Sequence, residues 1–147
     1  MNNKILTFEL ELFNLFLWLS YKHKISNFYL NRLNKGKWTM STERNSKGFI
    51  INYCLPYLLK KDFNYITRVI LHEFGHIKHP NLITQINKEI FAEKFMLKTT
   101  KKYYPKLYKE AIKEGKECLN NKKWIKKFPI HYKAFLKLEE YNNGGIK

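Results

Sequence analysis

Residues 62–80 read DFNYITRVILHEFGHIKHP, and the rest of the chain has to be built around them. Asp62 offers a side-chain oxygen to the free amides of a helix start, and Pro80, lacking an N–H, stops a helix. Between them Ile66, Ile70, Phe74 and Ile77 recur at helical spacing along one side, as a core-packing helix requires. His72 and His76 stand one turn apart and share a second stripe with Tyr65 and Val69. The stretch therefore predicts one amphipathic helix, capped by Asp62 and running to His79, with His72-Glu73-Phe74-Gly75-His76 in its second half.

Two imidazoles one turn apart aim at a single point. That suits Zn²⁺, a borderline-soft ion that takes nitrogen ligands at about 2.0–2.1 Å. Glu73 reaches toward a water held there and has the chemistry of a general base, taking a proton and later passing it to a leaving amine. Phe74 is expected to anchor the helix to the core, and Gly75 to leave room for a neighbouring strand or a substrate. Chance produces HExxH in roughly one chain in a hundred of this His and Glu content, so accident is a poor account of it. A catalytic zinc site needs a third protein ligand and a fourth position open to water. Glu89, Glu93 and His79 are the candidates. His79 lies a further turn along its helix, beyond easy reach of the same ion. Glu89 and Glu93 are one turn apart on a second helix, expected over about 82–100, which can cross the first.

In these features the chain resembles the gluzincin branch of the zincin metallopeptidases, especially the minigluzincins and the ImmA/IrrE-type peptidases. There HExxH is followed by a helix carrying Glu-x-x-Ala-(Asp/Asn/Glu)-x-Phe, matched here by Glu89-Ile90-Phe91-Ala92-Glu93-Lys94-Phe95. The resemblance implies Zn²⁺ as cofactor, with His72, His76 and Glu89 as ligands and Glu73 as the catalytic base. Glu93 would hydrogen-bond a ligand histidine and fix its tautomer. It further implies that residues 49–55 form the edge strand over the active site, where Ile50, Ile51 and Asn52 would bind an extended peptide by β-augmentation. The match runs from about Trp38 to Leu97. His76 to Pro80 is also similar to SprT-like peptidases, although the third-ligand pattern here is glutamate-based. The implied function is zinc-dependent hydrolysis of a specific intracellular protein; a DNA-associated SprT-like peptidase and a non-catalytic zinc-binding interaction domain are the alternatives. For the group that stabilises the oxyanion, Tyr103, Tyr104 and His131 are available, and no spacing rule selects among them.

A chain of 147 residues suits one domain, and 44% hydrophobic residues supply enough material for a packed interior. The expectation is a single zincin-like metallopeptidase domain over 1–147, with its catalytic core at 38–97 and a basic helical part at 98–147. The fold class is α+β: a small three-stranded, mostly antiparallel sheet packed on the HExxH helix and the glutamate-bearing helix, with N- and C-terminal helices. The first helix spans about 3–21. Its apolar stretch carries Glu9, Glu11 and Asn14, so it packs on a core, with a broad buried face, rather than spanning lipid. Runs at 28–30, 37–40 and 48–53 favour strands in a meander, and two further helices fall near 105–119 and 130–141. Two cysteines without metal-type spacing point to a reducing, cytoplasmic setting.

The net charge of +16 would ordinarily announce a polyanion partner, but 25 lysines stand against only three arginines, beside 15 asparagines and 14 isoleucines. AT-rich coding produces that usage by itself, and nucleic-acid sites favour arginine. Half of the 28 basic residues lie in 98–147 against five acidic ones, so nucleic acid is kept as a secondary partner for that part, after a protein or peptide substrate.

Overall fold

The computed structural model describes residues 3–142. In chain order the elements are α1 (Asn3–His23), β1 (Phe28–Leu33), β2 (Met40–Asn45), β3 (Gly48–Cys54), α2 (Leu55–Leu58), α3 (Phe63–Lys78), α4 (Gln85–Tyr103), α5 (Pro105–Leu119), α6 (Lys122–Lys127) and α7 (Pro129–Asn142). The class is α+β, as expected. Of the basic part at 98–147, residues 143–147 lie outside the described residues.

Local signals account for the two site helices. Asp62 Oδ1 accepts from the Tyr65 amide at 2.8 Å and starts α3, which ends at Lys78 with His79 as its C-cap. Thr84 caps α4 in the same way, accepting from the Asn87 amide at 3.2 Å, so this helix begins and ends about three residues later than apolar periodicity implied. Phe74 is fully buried and meets Phe28 at 5.4 Å and Phe16 at 6.2 Å between ring centroids, anchoring α3 as expected. Gly75 corrects an expectation. A Cβ there would lie 2.6 Å from Ala92 Cα and 2.8 Å from Ala92 O, so the space belongs to the backbone of α4, not to a strand or substrate.

The sheet is not a meander. Its order is β1-β3-β2, with β1 parallel to β3 from Phe28↔Phe49 to Leu33↔Cys54 and β2 antiparallel to β3 from Met40↔Tyr53 to Asn45↔Gly48. It is a mixed sheet with one pair of each kind, rather than a mostly antiparallel one. The expected edge strand is corrected with it: β3 is central and hydrogen-bonded on both sides. Ile50, Ile51 and Asn52 therefore have no free edge to offer a peptide, and Ile51 and Asn52 are buried. The physical reason is in the composition. β3 is the most apolar of the three strands and gains most from the central position, whereas Ser41, Thr42, Glu43 and Arg44 of β2 tolerate an edge. β2 also starts at Met40, because residues 37–39 are irregular. Gly48 closes the β2–β3 turn at φ +137°, where a Cβ would come within 2.7 Å of Asn27 O.

α1 contributes Leu12, Phe16 and Leu19 to the core beside Ile51, Ile66, Ile70 and Leu71. Its buried face is narrower than the apolar run suggested, since Leu17 is 65% and Trp18 51% exposed. Glu9 on the same helix accepts from Tyr53 Oη at 2.6 Å and pairs with Arg32 at 2.8 Å, tying α1 to the sheet. A second cluster of Ile90, Ala134 and Leu138 fastens α7 onto α4. Both cysteines are free. Among the described residues no helix is long and apolar enough to cross a membrane.

Candidate metal centre

Because Gly75 lets α4 approach within backbone contact, residues on either side of Ala92 meet the histidines of α3. Glu89 lies one turn before Ala92 and Glu93 directly after it. His72 Nε2 is 3.0 Å from Glu89 Oε2, and His76 Nε2 is 3.3 Å from Glu89 Oε1. On the other side of its ring His72 Nδ1 is 2.7 Å from Glu93 Oε2. Glu93 thus holds the nitrogen of His72 that faces away from Glu89, the arrangement the resemblance implied.

Glu73 is 5% exposed, and its Oε2 accepts a 2.6 Å hydrogen bond from Thr42 Oγ1 of β2. A buried carboxylate oxygen is costly unless it has a hydrogen-bond partner, and this hydroxyl supplies one and fixes the orientation of Glu73. Residues 40–44 of β2, His72, Glu73 and His76 of α3, and residues 127–131 together line a cleft of about 600 Å³.

His131, in the first turn of α7, completes the cluster: its Nε2 is 3.0 Å from Glu89 Oε2 and its ring stacks on His72 at 6.4 Å and 22°. Of the three residues considered for oxyanion stabilisation it is the one brought to the site, whereas the Tyr104 hydroxyl lies 2.9 Å from His23 Nε2. His79 packs against Phe91 at 5.0 Å and, among the described residues, joins no metal-holding group. Among the described residues two such groups are present, His72 with Glu73 and His76, and His72 with Glu89 and His131; within each the donor atoms lie no more than 4.8 Å apart.

Burial alone disfavours a charged His72, but hydrogen bonds and negative charge from Glu89 and Glu93 outweigh it and raise its pKa well above 6.5. Burial likewise favours the neutral acid at Glu89, yet hydrogen bonds from His131, His72 and His76 hold its carboxyl far below the usual carboxylate range. The raised histidine adds stability in full below pH 6.5 and loses it as pH rises through its folded-state value; the lowered carboxylate adds stability above pH 4.5 and loses it as pH falls. These are two views of one coupled network and count once. In protein stripped of metal by a chelator, the unfolding temperature is expected to peak between pH 4.5 and 6.5 and then decline. The underlying stability falls above the peak by up to about 1.4 kcal/mol per pH unit. Scanning calorimetry from about pH 5 to about pH 9 checks this, and a flat profile would sink it.

No protein-family model, curated protein or solved structure matches the chain.

Proposed function

We propose that the chain is a zinc-dependent peptidase of the gluzincin type, cutting peptide bonds in a protein substrate. The observation that carries this reading is Glu73: a buried carboxylate, fixed by Thr42 at 2.6 Å, beside His72 and His76 in an open cleft. A purely structural metal site has no use for an oriented base at its rim.

The donor set fits zinc. In a tetrahedral site with arms of about 2.0–2.1 Å, donors stand about 3.3–3.4 Å apart. The imidazole-to-carboxylate separations here are 3.0 and 3.3 Å. His72, His76 and Glu89 would hold the ion, with Glu93 keeping His72 in the tautomer that presents Nε2. An ion held there would supply Lewis acidity toward a water and the scissile carbonyl. Thr42 engages Oε2 of Glu73 and leaves Oε1 to accept a proton, which the same carboxyl returns to the departing amine. β2 pairs with β3 on one side only, so its other edge is available to align an extended peptide as an added strand.

Around the cleft stand Lys37, Arg44, Lys88 and Lys127 against Glu43, which favours a substrate segment rich in Asp and Glu. The test is incubation of the zinc-loaded chain with a peptide library, with cleavage read by mass spectrometry. Zinc-dependent cuts, abolished by chelation, are expected, and acidic peptides should show a KM that rises several-fold from about 0.05 to about 0.5 M salt with kcat unchanged. Stoichiometric zinc binding with no cleavage of any peptide overturns the peptidase reading; cleavage indifferent to peptide charge overturns only the substrate class.

A further inference from the structure

Three imidazoles, not two, converge on the Glu89 carboxylate. His72 Nε2 and His131 Nε2 each lie 3.0 Å from its Oε2, and His76 Nε2 lies 3.3 Å from its Oε1. All three separations are close to the edge of a zinc tetrahedron, about 3.3–3.4 Å. We propose that His131 is a fourth, displaceable metal donor, and that the first turn of α7 is a latch closing the coordination position that catalysis needs open. The donor assignment stands on geometry alone; its consequence for activity rests on the peptidase reading.

The surroundings of the two histidines differ in a way that makes one permanent and the other removable. A metal-bound histidine is normally pinned by a partner on its second nitrogen. His72 has one, Glu93 at 2.7 Å. His131 Nδ1 is buried and has no hydrogen-bond partner among the described residues. Its ring is held by packing, with Trp38 at 4.8 Å and 33° and Phe128 at 6.1 Å. Leaving the site lets water satisfy Nδ1, so withdrawal carries a compensation that is absent for His72.

The attachment of α7 allows that movement. Ala134 and Leu138 are the residues seated on Ile90, one and two turns beyond His131. Pro129 and Ile130 are exposed, so the first turn can lift while the rest of the helix stays docked. Within the cleft lining Trp38 packs on Phe128 at 4.7 Å and 32°, joining the segment before β2 to the residue before α7. A peptide adding to the edge of β2 meets this clasp. Parting it removes the packing that holds His131, so substrate entry and release of the fourth donor are one event.

X-ray absorption on the zinc-loaded full chain counts the imidazoles directly. Three are expected in the parent and two in His131→Ala, with zinc affinity, measured by chelator competition, lower in the variant by at least about tenfold. Trp38→Ala removes packing from His131 but no donor atom from the chain, so its zinc affinity is expected to fall between those of the parent and His131→Ala while kcat/KM rises, and His131→Ala should also cleave faster than the parent. Two imidazoles in the parent, or unchanged affinity in His131→Ala, overturns the proposal. Slower cleavage by His131→Ala at unchanged affinity also overturns it, because His131 would then act on substrate. Three imidazoles with no cleavage by any variant upholds the donor assignment and removes the peptidase reading.

Discussion

Glu73→Gln is expected to lower kcat/KM for peptide cleavage by about 10²–10⁴-fold, equivalent to about 3–5 kcal/mol of barrier, while leaving zinc affinity and unfolding temperature close to those of the parent. The amide is nearly isosteric with the carboxylate, and its oxygen can still accept from Thr42, now 2.6 Å from the carboxylate. What the amide lacks is basicity. It cannot take a proton at neutral pH, and the two other carboxylates that touch these histidines are engaged: Glu89 by three imidazoles and Glu93 by His72. Stability should not suffer, because the substitution removes a charge from a residue only 5% exposed. Calorimetry and chelator competition on the same preparation separate loss of chemistry from loss of fold. Retained cleavage with normal zinc content would show that the proton goes elsewhere.

The helix that bears this residue was legible because its information is local. A cap at Asp62, an apolar stripe from Ile66 to Ile77 and a stop at Pro80 all act within a few residues of the backbone they control. The pairing of Glu89 with the histidines was legible only through the resemblance. Spacing within α4 says that Glu89 and Glu93 share a face, not that the face meets α3. That depends on Gly75 and Ala92, two small residues on different helices whose contact no periodicity reveals.

The sheet shows where local reading misleads. Residues 48–53 are the strongest strand signal in the chain, and for that reason they became the central strand: the most apolar of the three, β3 is flanked by a strand on either side. The strand that borders the site, β2, is polar and is preceded by irregular residues 37–39, so its sequence carries a weak signal. Edge strands are weak signals for a physical reason, since a strongly apolar edge would pair with other chains. His131 was illegible as a donor on similar grounds. It lies far along the chain from His76, and it reaches Glu89 because Ala134 and Leu138 dock on Ile90, a tertiary event.

Gly75→Ala tests whether the helix crossing builds the site. The added methyl would sit 2.6 Å from Ala92 Cα and 2.8 Å from its carbonyl oxygen, separations that real Cβ contacts do not show, so α4 must move away from α3. Overpacking of this kind costs about 1–3 kcal/mol, or roughly 3–12 °C in unfolding temperature for a chain of this size. The displacement also carries Glu89 and Glu93 away from His72 and His76, so zinc affinity should fall by at least about tenfold, more than loss of stability alone would cause. A control discriminates the cause. The atoms in the way are backbone, so the double variant Gly75→Ala with Ala92→Gly should recover neither property. Recovery would show that side-chain crowding sets the crossing; a Gly75→Ala chain with normal zinc affinity would show that Glu89 reaches the histidines without it.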